Sequence, residues 1–128
     1  MSTTLTSPTL RFVSPPPGLA PLTDFLLTEV AGAPGLYSLE ATVHASTRLF
    51  VLDASIFLPN YTPEISSEES KSLTLDTPDD ALVLVVVNPQ EHATTVNLMA
   101  PIVVNIRTGL CSQVILDDQD WPMQAQLG

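Results

Sequence analysis

The sequence predicts an all-β domain, a sandwich or a closed barrel, with one short helix. Short apolar runs rich in Val, Ile, Leu and Thr recur along the chain, and several of them alternate with period two. Proline and glycine punctuate those runs, with 12 Pro and 5 Gly in 128 residues. A capping signature for a short helix occurs at Ser66. Roughly eight strands fit this pattern, and no repeat or long linker divides them.

In chain order, Met1 to Ser7 is Ser/Thr-rich and reads as a frayed end. The expected division is a flexible tail over 1–8 and one β domain over 9–128. Leu10 to Val13 is a first strand, stopped by Pro15-Pro16-Pro17-Gly18 because proline cannot donate to a ladder. Asp24 to Val30 is a second run, ended by the turn cluster Ala31 to Gly35. Leu36 to Leu39 and Thr42 to His44 alternate weakly. Leu49 to Leu52 is apolar at every position, as expected of a strand covered on both faces, and Ile56-Phe57-Leu58 follows a short break.

Ser66 with Glu69 three residues on predicts a helix of about two turns, ending near Leu73. Thr77 to Asp80 reads as a tight turn. Leu82 to Val87 is the strongest strand, β-branched and apolar on both faces. Val96, Leu98 and Ala100 then alternate with Asn97 and Met99. After Pro101, Ile102, Val104 and Ile106 share one face. Gly109 supplies a turn, and Ser112 to Leu116 returns as a strand ending in Asp117, Asp118 and Asp120. Trp121 to Gly128 reads as a tail.

Charge narrows the function classes. There are 14 acidic against 4 basic residues, a formal net charge of -10. A phosphate-binding surface needs a basic patch, and Arg11, Arg48, Lys71 and Arg107 are far apart in sequence, so no direct nucleic-acid or anionic-membrane partner is expected. An acidic surface suits a basic protein partner, although it also serves plain solubility. Cys111 is the one cysteine, which excludes an intrachain disulfide. Met1 to Pro8 has neither a basic nor an apolar leader region, and the longest apolar run, Ala81 to Val87, is too short to span a bilayer. The expectation is a cytoplasmic protein.

Chemistry finds little purchase. His44 and His92 are isolated from other ligand residues, and the Asp117 corner lacks the rest of a calcium loop, so no metal and no cofactor are expected. There is no nucleophile motif, and Cys111 reads as a partly buried, unreactive thiol. The expectation is a protein that is not an enzyme. Two groups of polar residues stand out instead. Asn97 and Asn105 interrupt apolar strands, where Asn has poor propensity; each either bonds backbone or stands on a face that meets a partner. Phe57, Tyr61 and Trp121 lie near prolines and serve either packing or an interface.

The chain resembles the FliW family of flagellar assembly factors, in order, from about Pro17 to Leu127. The similar segments are Pro17-Gly18-Leu19 with Phe25-Leu26-Leu27, Leu36-Tyr37-Ser38-Leu39, Phe50 to Asp53, and Phe57 through Pro59-Asn60-Tyr61-Thr62-Pro63-Glu64. Thr77 to Leu84 is similar to the family's entry to its central strand. The most specific string is Val96-Asn97-Leu98-Met99-Ala100-Pro101-Ile102-Val103-Val104-Asn105, with Gln113 to Asp117. Pro-Gly-Leu and Ala20-Pro21 depart from the family's Pro-Gly-Phe and Phe-Glu.

The resemblance implies a small antiparallel β-barrel-like domain, monomeric on its own, acting as a regulator without catalysis. It implies two protein partners, flagellin and CsrA, the carbon storage regulator that represses flagellin translation. The residues expected to meet partners are Asn97, Pro101, Asn105 and Arg107 on one face, Asn60, Tyr61 and Glu64 on a second, and Asp117 and Asp118 as an acidic contact. Asn105→Ala is expected to weaken a partner and leave thermal stability nearly unchanged. The competing expectations are a β-barrel small-molecule binder or enzyme, and a structural subunit of a larger assembly.

Overall fold

The computed structural model describes residues 9–14, 19, 21–43, 48–58, 60–75, 77, 80–89, 94–116, 119–122 and 124–126. The tail at 1–8, both histidines, and Asp117 with Asp118 lie outside the described residues. In order the elements are β1 (Thr9–Phe12), β2 (Asp24–Glu29), β3 (Leu36–Ala41), β4 (Arg48–Asp53), α1 (Ala54–Phe57), α2 (Ser67–Ser72), β5 (Ala81–Pro89), β6 (Thr94–Asn105), β7 (Leu110–Gln113) and β8 (Ala125–Gln126).

The sheet runs β5-β4-β3-β2-β1-β7-β6, and β5 pairs again with β6, so seven strands close a barrel. The pairings are antiparallel except that β1 meets β7 in parallel, with Arg11 opposite Leu110 and Phe12 opposite Cys111. That exception follows from parity. Directions cannot alternate all the way round a ring with an odd number of strands, so one neighbouring pair must point the same way. β8 adds to β6 outside the ring, with Val96 opposite Ala125. The last residues therefore include a strand, where the sequence reads as a plain tail.

Alternation selects the interior. Leu10 and Phe12 of β1, Phe25 and Leu27 of β2, and Leu39 and Ala41 of β3 point inward, where they meet Leu84, Ile102, Val104 and Cys111. Phe12 and Phe25 pack edge to face at 5.2 Å between ring centres. Side chains fill this barrel, as expected at such a strand number. Among the described residues, Leu10, Phe12, Phe25, Leu27, Leu39, Leu84, Ile102 and Val104 occupy the interior as one packed cluster.

Strands that read as apolar on both faces have two covers. Outside the barrel, Leu52, Val85, Val96 and Leu98 pack under Leu58, Tyr61 and Trp121. A second outer cluster places Val103 and Val114 under Leu73, which follows α2. β4, β5 and β6 thus have side chains packed on both faces.

Two helices form where one is expected. α2 starts as the capping signature predicts, with Ser66 Oγ accepting from the Glu69 N–H at 3.1 Å. α1 takes in Ile56-Phe57, an apolar run to which the sequence reading assigns no element. Asp53 caps it, its carboxylate accepting from the Ser55 N–H at 3.0 Å and the Ser55 hydroxyl at 2.7 Å. Four residues carry too little periodicity to show a helix in sequence. Ile56 and Phe57 close over Gly35, where an added Cβ would lie 2.8 Å from the Phe57 ring.

Candidate partner-binding surfaces

β6 is one strand with a break in its partnership. Val83 and Leu84 of β5 lie opposite Val103 and Ile102, but Val86 lies opposite Asn97. Four residues of β6, Leu98 to Pro101, therefore face the single residue Val85 and bulge away from β5. Their backbone groups must find other partners. The Leu98 N–H bonds the Pro122 carbonyl at 3.0 Å, and the Leu98 carbonyl accepts from the Tyr61 hydroxyl. The Met99 and Ala100 N–H groups both bond Asn97 Oδ1, at 3.0 and 3.2 Å. The Met99 carbonyl accepts from Leu116 N–H at 2.7 Å, and the Ala100 carbonyl accepts from Gln113 Nε2 at 3.1 Å. Pro101 has no N–H to satisfy, and its carbonyl accepts from Val114 N–H at 2.9 Å. Every main-chain group of the bulge is paired.

This gives Asn97 and Pro101 a structural part. Asn97 replaces the ladder for two N–H groups, and Pro101 is buried. Asn105 is buried too, at 2% exposure. Its Nδ2 donates to the Leu73 carbonyl at 2.8 Å and the Thr74 carbonyl at 3.2 Å, while its Oδ1 accepts from Arg107 N–H at 2.9 Å. Thr74 has φ of 51°, a costly region for a β-branched residue. Asn105 thus clamps the strained exit of α2 onto the end of β6. Enclosed this way, Asn105 bears on stability, against the expectation that Asn105→Ala spares it: its loss would leave the Thr74 carbonyl and the Arg107 N–H without this partner, while the Leu73 carbonyl keeps the Thr74 hydroxyl at 2.7 Å.

The other expected residues lie nearer solvent. Arg107 is exposed, with Nη1 3.4 Å from the Asp80 carboxylate. Asn60 is exposed in a turn, and Glu64 is exposed. Gln119 braces the Glu64 backbone, its Oε1 accepting from Glu64 N–H at 3.0 Å and its Nε2 donating to the Glu64 carbonyl at 2.9 Å. Tyr61 packs edge-on against Trp121, with centres 4.7 Å apart, and burial pushes its hydroxyl well above the usual tyrosine range. The Tyr61 to Leu98 bond joins the second expected face to the bulge of the first. Sequence distance hides this: 37 residues separate the partners.

A groove not foreseen in sequence lies beside these residues. It has a volume of about 670 Å³ and runs between the Glu64–Glu69 segment and Ser112 to Leu116. Its one sequence signal is Ile115, which falls between buried Val114 and Leu116 and is 49% exposed. Among the described residues, no group of three or more His, Cys, Asp or Glu side chains converges as a metal site. Cys111 is buried in the barrel, and burial pushes its thiol far above the ordinary range, the opposite of an activated nucleophile.

The protein-family model described as FliW protein matches residues 3–127. The chain belongs to the FliW family. The flagellar assembly factor FliW of Oceanobacillus iheyensis is 27% identical over 120 residues, spanning 92% of this chain and 82% of its own. That of Thermoanaerobacter pseudethanolicus is 32% identical over 108 residues, 82% of this chain and 72% of its own. That of Bacillus subtilis is 24% identical over 121 residues, 93% and 85%. A crystal structure of the flagellar assembly factor FliW superposes with a TM-score of 0.85 at 23% identity, covering 94% of this chain and 85% of that one. The FliW barrel is therefore the fold of this chain. No helix among the described residues is long and apolar enough to cross a membrane.

Proposed function

We propose that this FliW-family protein is a non-enzymatic cytoplasmic regulator that exchanges two protein partners, flagellin and CsrA. When flagellin is scarce, the protein holds CsrA away from messenger RNA. When flagellin accumulates, it captures the protein and frees CsrA. The observation that carries this reading is the family match across residues 3–127, nearly the whole chain.

The physical properties suit the role. A net charge of -10 favours encounter with a basic partner. The same charge repels RNA phosphate from a CsrA molecule to which this protein is bound, and so disfavours a ternary complex. Calorimetric titration of the protein with the flagellin and, separately, the CsrA of its own organism tests the reading. Sub-micromolar binding to each is expected. Binding to neither would leave the fold assignment standing and remove the regulatory one.

A further inference from the structure

The groove beside α2 exposes the edge of a strand. Val114 N–H bonds the Pro101 carbonyl at 2.9 Å and Leu116 N–H bonds the Met99 carbonyl at 2.7 Å, which continues the β6–β7 register past the end of β7. Antiparallel alternation then turns the N–H and C=O groups of Gln113 and Ile115 away from β6. On that side β1 reaches only part of the way. Its bonds to this strand include Arg11 N–H to the Gly109 carbonyl and Val13 N–H to the Cys111 carbonyl, both at 2.9 Å. Among the described residues, no backbone bond meets Gln113 or Ile115 beyond that point. Natural edges are blunted by Lys, Pro or a covering element, and Ser112-Gln113-Val114-Ile115 carries neither residue.

The opposite wall supplies charge. Glu64 and Glu69 both line the groove, and neither forms an ion pair among the described residues. We propose that this edge accepts an added β-strand from a partner protein, an extended segment with Lys or Arg at alternate positions. Its backbone bonds the outward groups of Gln113 and Ile115, and its basic side chains reach Glu64 and Glu69. Main-chain bonding gives such a strand its hold, and the alternate side chains give it selectivity. The inference rests on the reading of this chain as a protein-binding regulator and adds the mode of recognition.

The test uses the full chain and a displayed library of random peptides about a dozen residues long. Two variants dissect the site. Ile115→Pro deletes one outward N–H and leaves the bonds of Val114 and Leu116 to β6 intact. Glu64→Gln with Glu69→Gln removes the charge at near-constant shape and keeps the proposal testable if the proline variant folds poorly. Selected peptides are expected to alternate basic and other residues, to lose about tenfold or more in affinity for each variant, and to protect the Gln113 and Ile115 amides from hydrogen exchange. No enrichment, or peptides that bind both variants as tightly as the parent chain, overturns the proposal. Flagellin and CsrA are then titrated separately. Failure of both to bind would overturn the partner-exchange reading and leave the groove result standing.

Discussion

Asn97 and Asn105 are used from opposite ends of the same side chain. At Asn97 the carbonyl oxygen serves two N–H groups, and at Asn105 the amide nitrogen serves two carbonyls. Asn105→Ala should lower stability by about 2 kcal/mol, because the Thr74 carbonyl and the Arg107 N–H lose their bonds to this side chain. Asn105→Asp should cost at least as much, since a carboxylate would face those carbonyls and donate nothing. Chemical denaturation checks both; an unchanged midpoint in either would show that Asn105 does not hold the α2 exit. Cys111 and Tyr61 contribute to the response to alkali. Burial keeps both protonated in the folded protein well above the ordinary values of 9.0 and 10.0. The unfolded chain releases these protons first, so stability is fully present below about pH 9 and falls as pH rises beyond it. Denaturation midpoints should stay level up to about pH 9 and fall above it, and a thiol reagent should find Cys111 inert at neutral pH. A thiol that reacts at the rate of a free cysteine at pH 7 would contradict the buried placement.

At the scale of elements, the strands were legible because alternation and β-branched runs survive into the barrel. Leu82 to Val87 reads as covered on both faces, and the outer clusters under Tyr61 and Leu73 supply the second cover. Capping chemistry gave α2 from Ser66 and Glu69. The bulge was not legible. Pro101 reads as a break between two strands, but the donors and acceptors that keep β6 continuous lie on Tyr61, Leu116 and Pro122, far along the chain. For the same reason the sequence left Asn97 and Asn105 open between backbone bonding and a partner face: a polar residue inside an apolar strand looks identical whether it faces a partner or a main-chain group. The prolines after Val13 show where β1 ends, but the groove also required β1 to lie beside β7, a pairing across the chain that no local pattern reveals. Two substitutions separate a supporting element from a closing one. Ser66→Ala should cost about 1 kcal/mol through lost capping. Gly109→Ala should cost more, roughly 1–3 kcal/mol. Its φ is 82°, and a Cβ there would sit 2.9 Å from the Thr9 carbonyl where β1 meets the β6–β7 turn. Thermal melts of the two variants give the order, and a Gly109→Ala protein as stable as the parent would mean the turn relaxes without loss.

At the scale of the molecule, the barrel interior is a packed cluster and the proposed partner surfaces lie on its outside. One interior and two outer clusters share β5 and β6, so the chain should unfold as one unit. The surface is acidic enough for electrostatics to act on a charged third party. If repulsion of phosphate separates CsrA from RNA, displacement of a target RNA from CsrA by this protein should weaken markedly between low and physiological salt. Displacement indifferent to ionic strength would assign the effect to shape or to a change within CsrA. Partner exchange is the central claim, and one competition experiment addresses it most directly. A preformed complex of this protein with labelled CsrA is titrated with the organism's flagellin, and bound CsrA is read by anisotropy. The account predicts release of CsrA in proportion to flagellin added. A ternary complex that retains CsrA at saturating flagellin would contradict it.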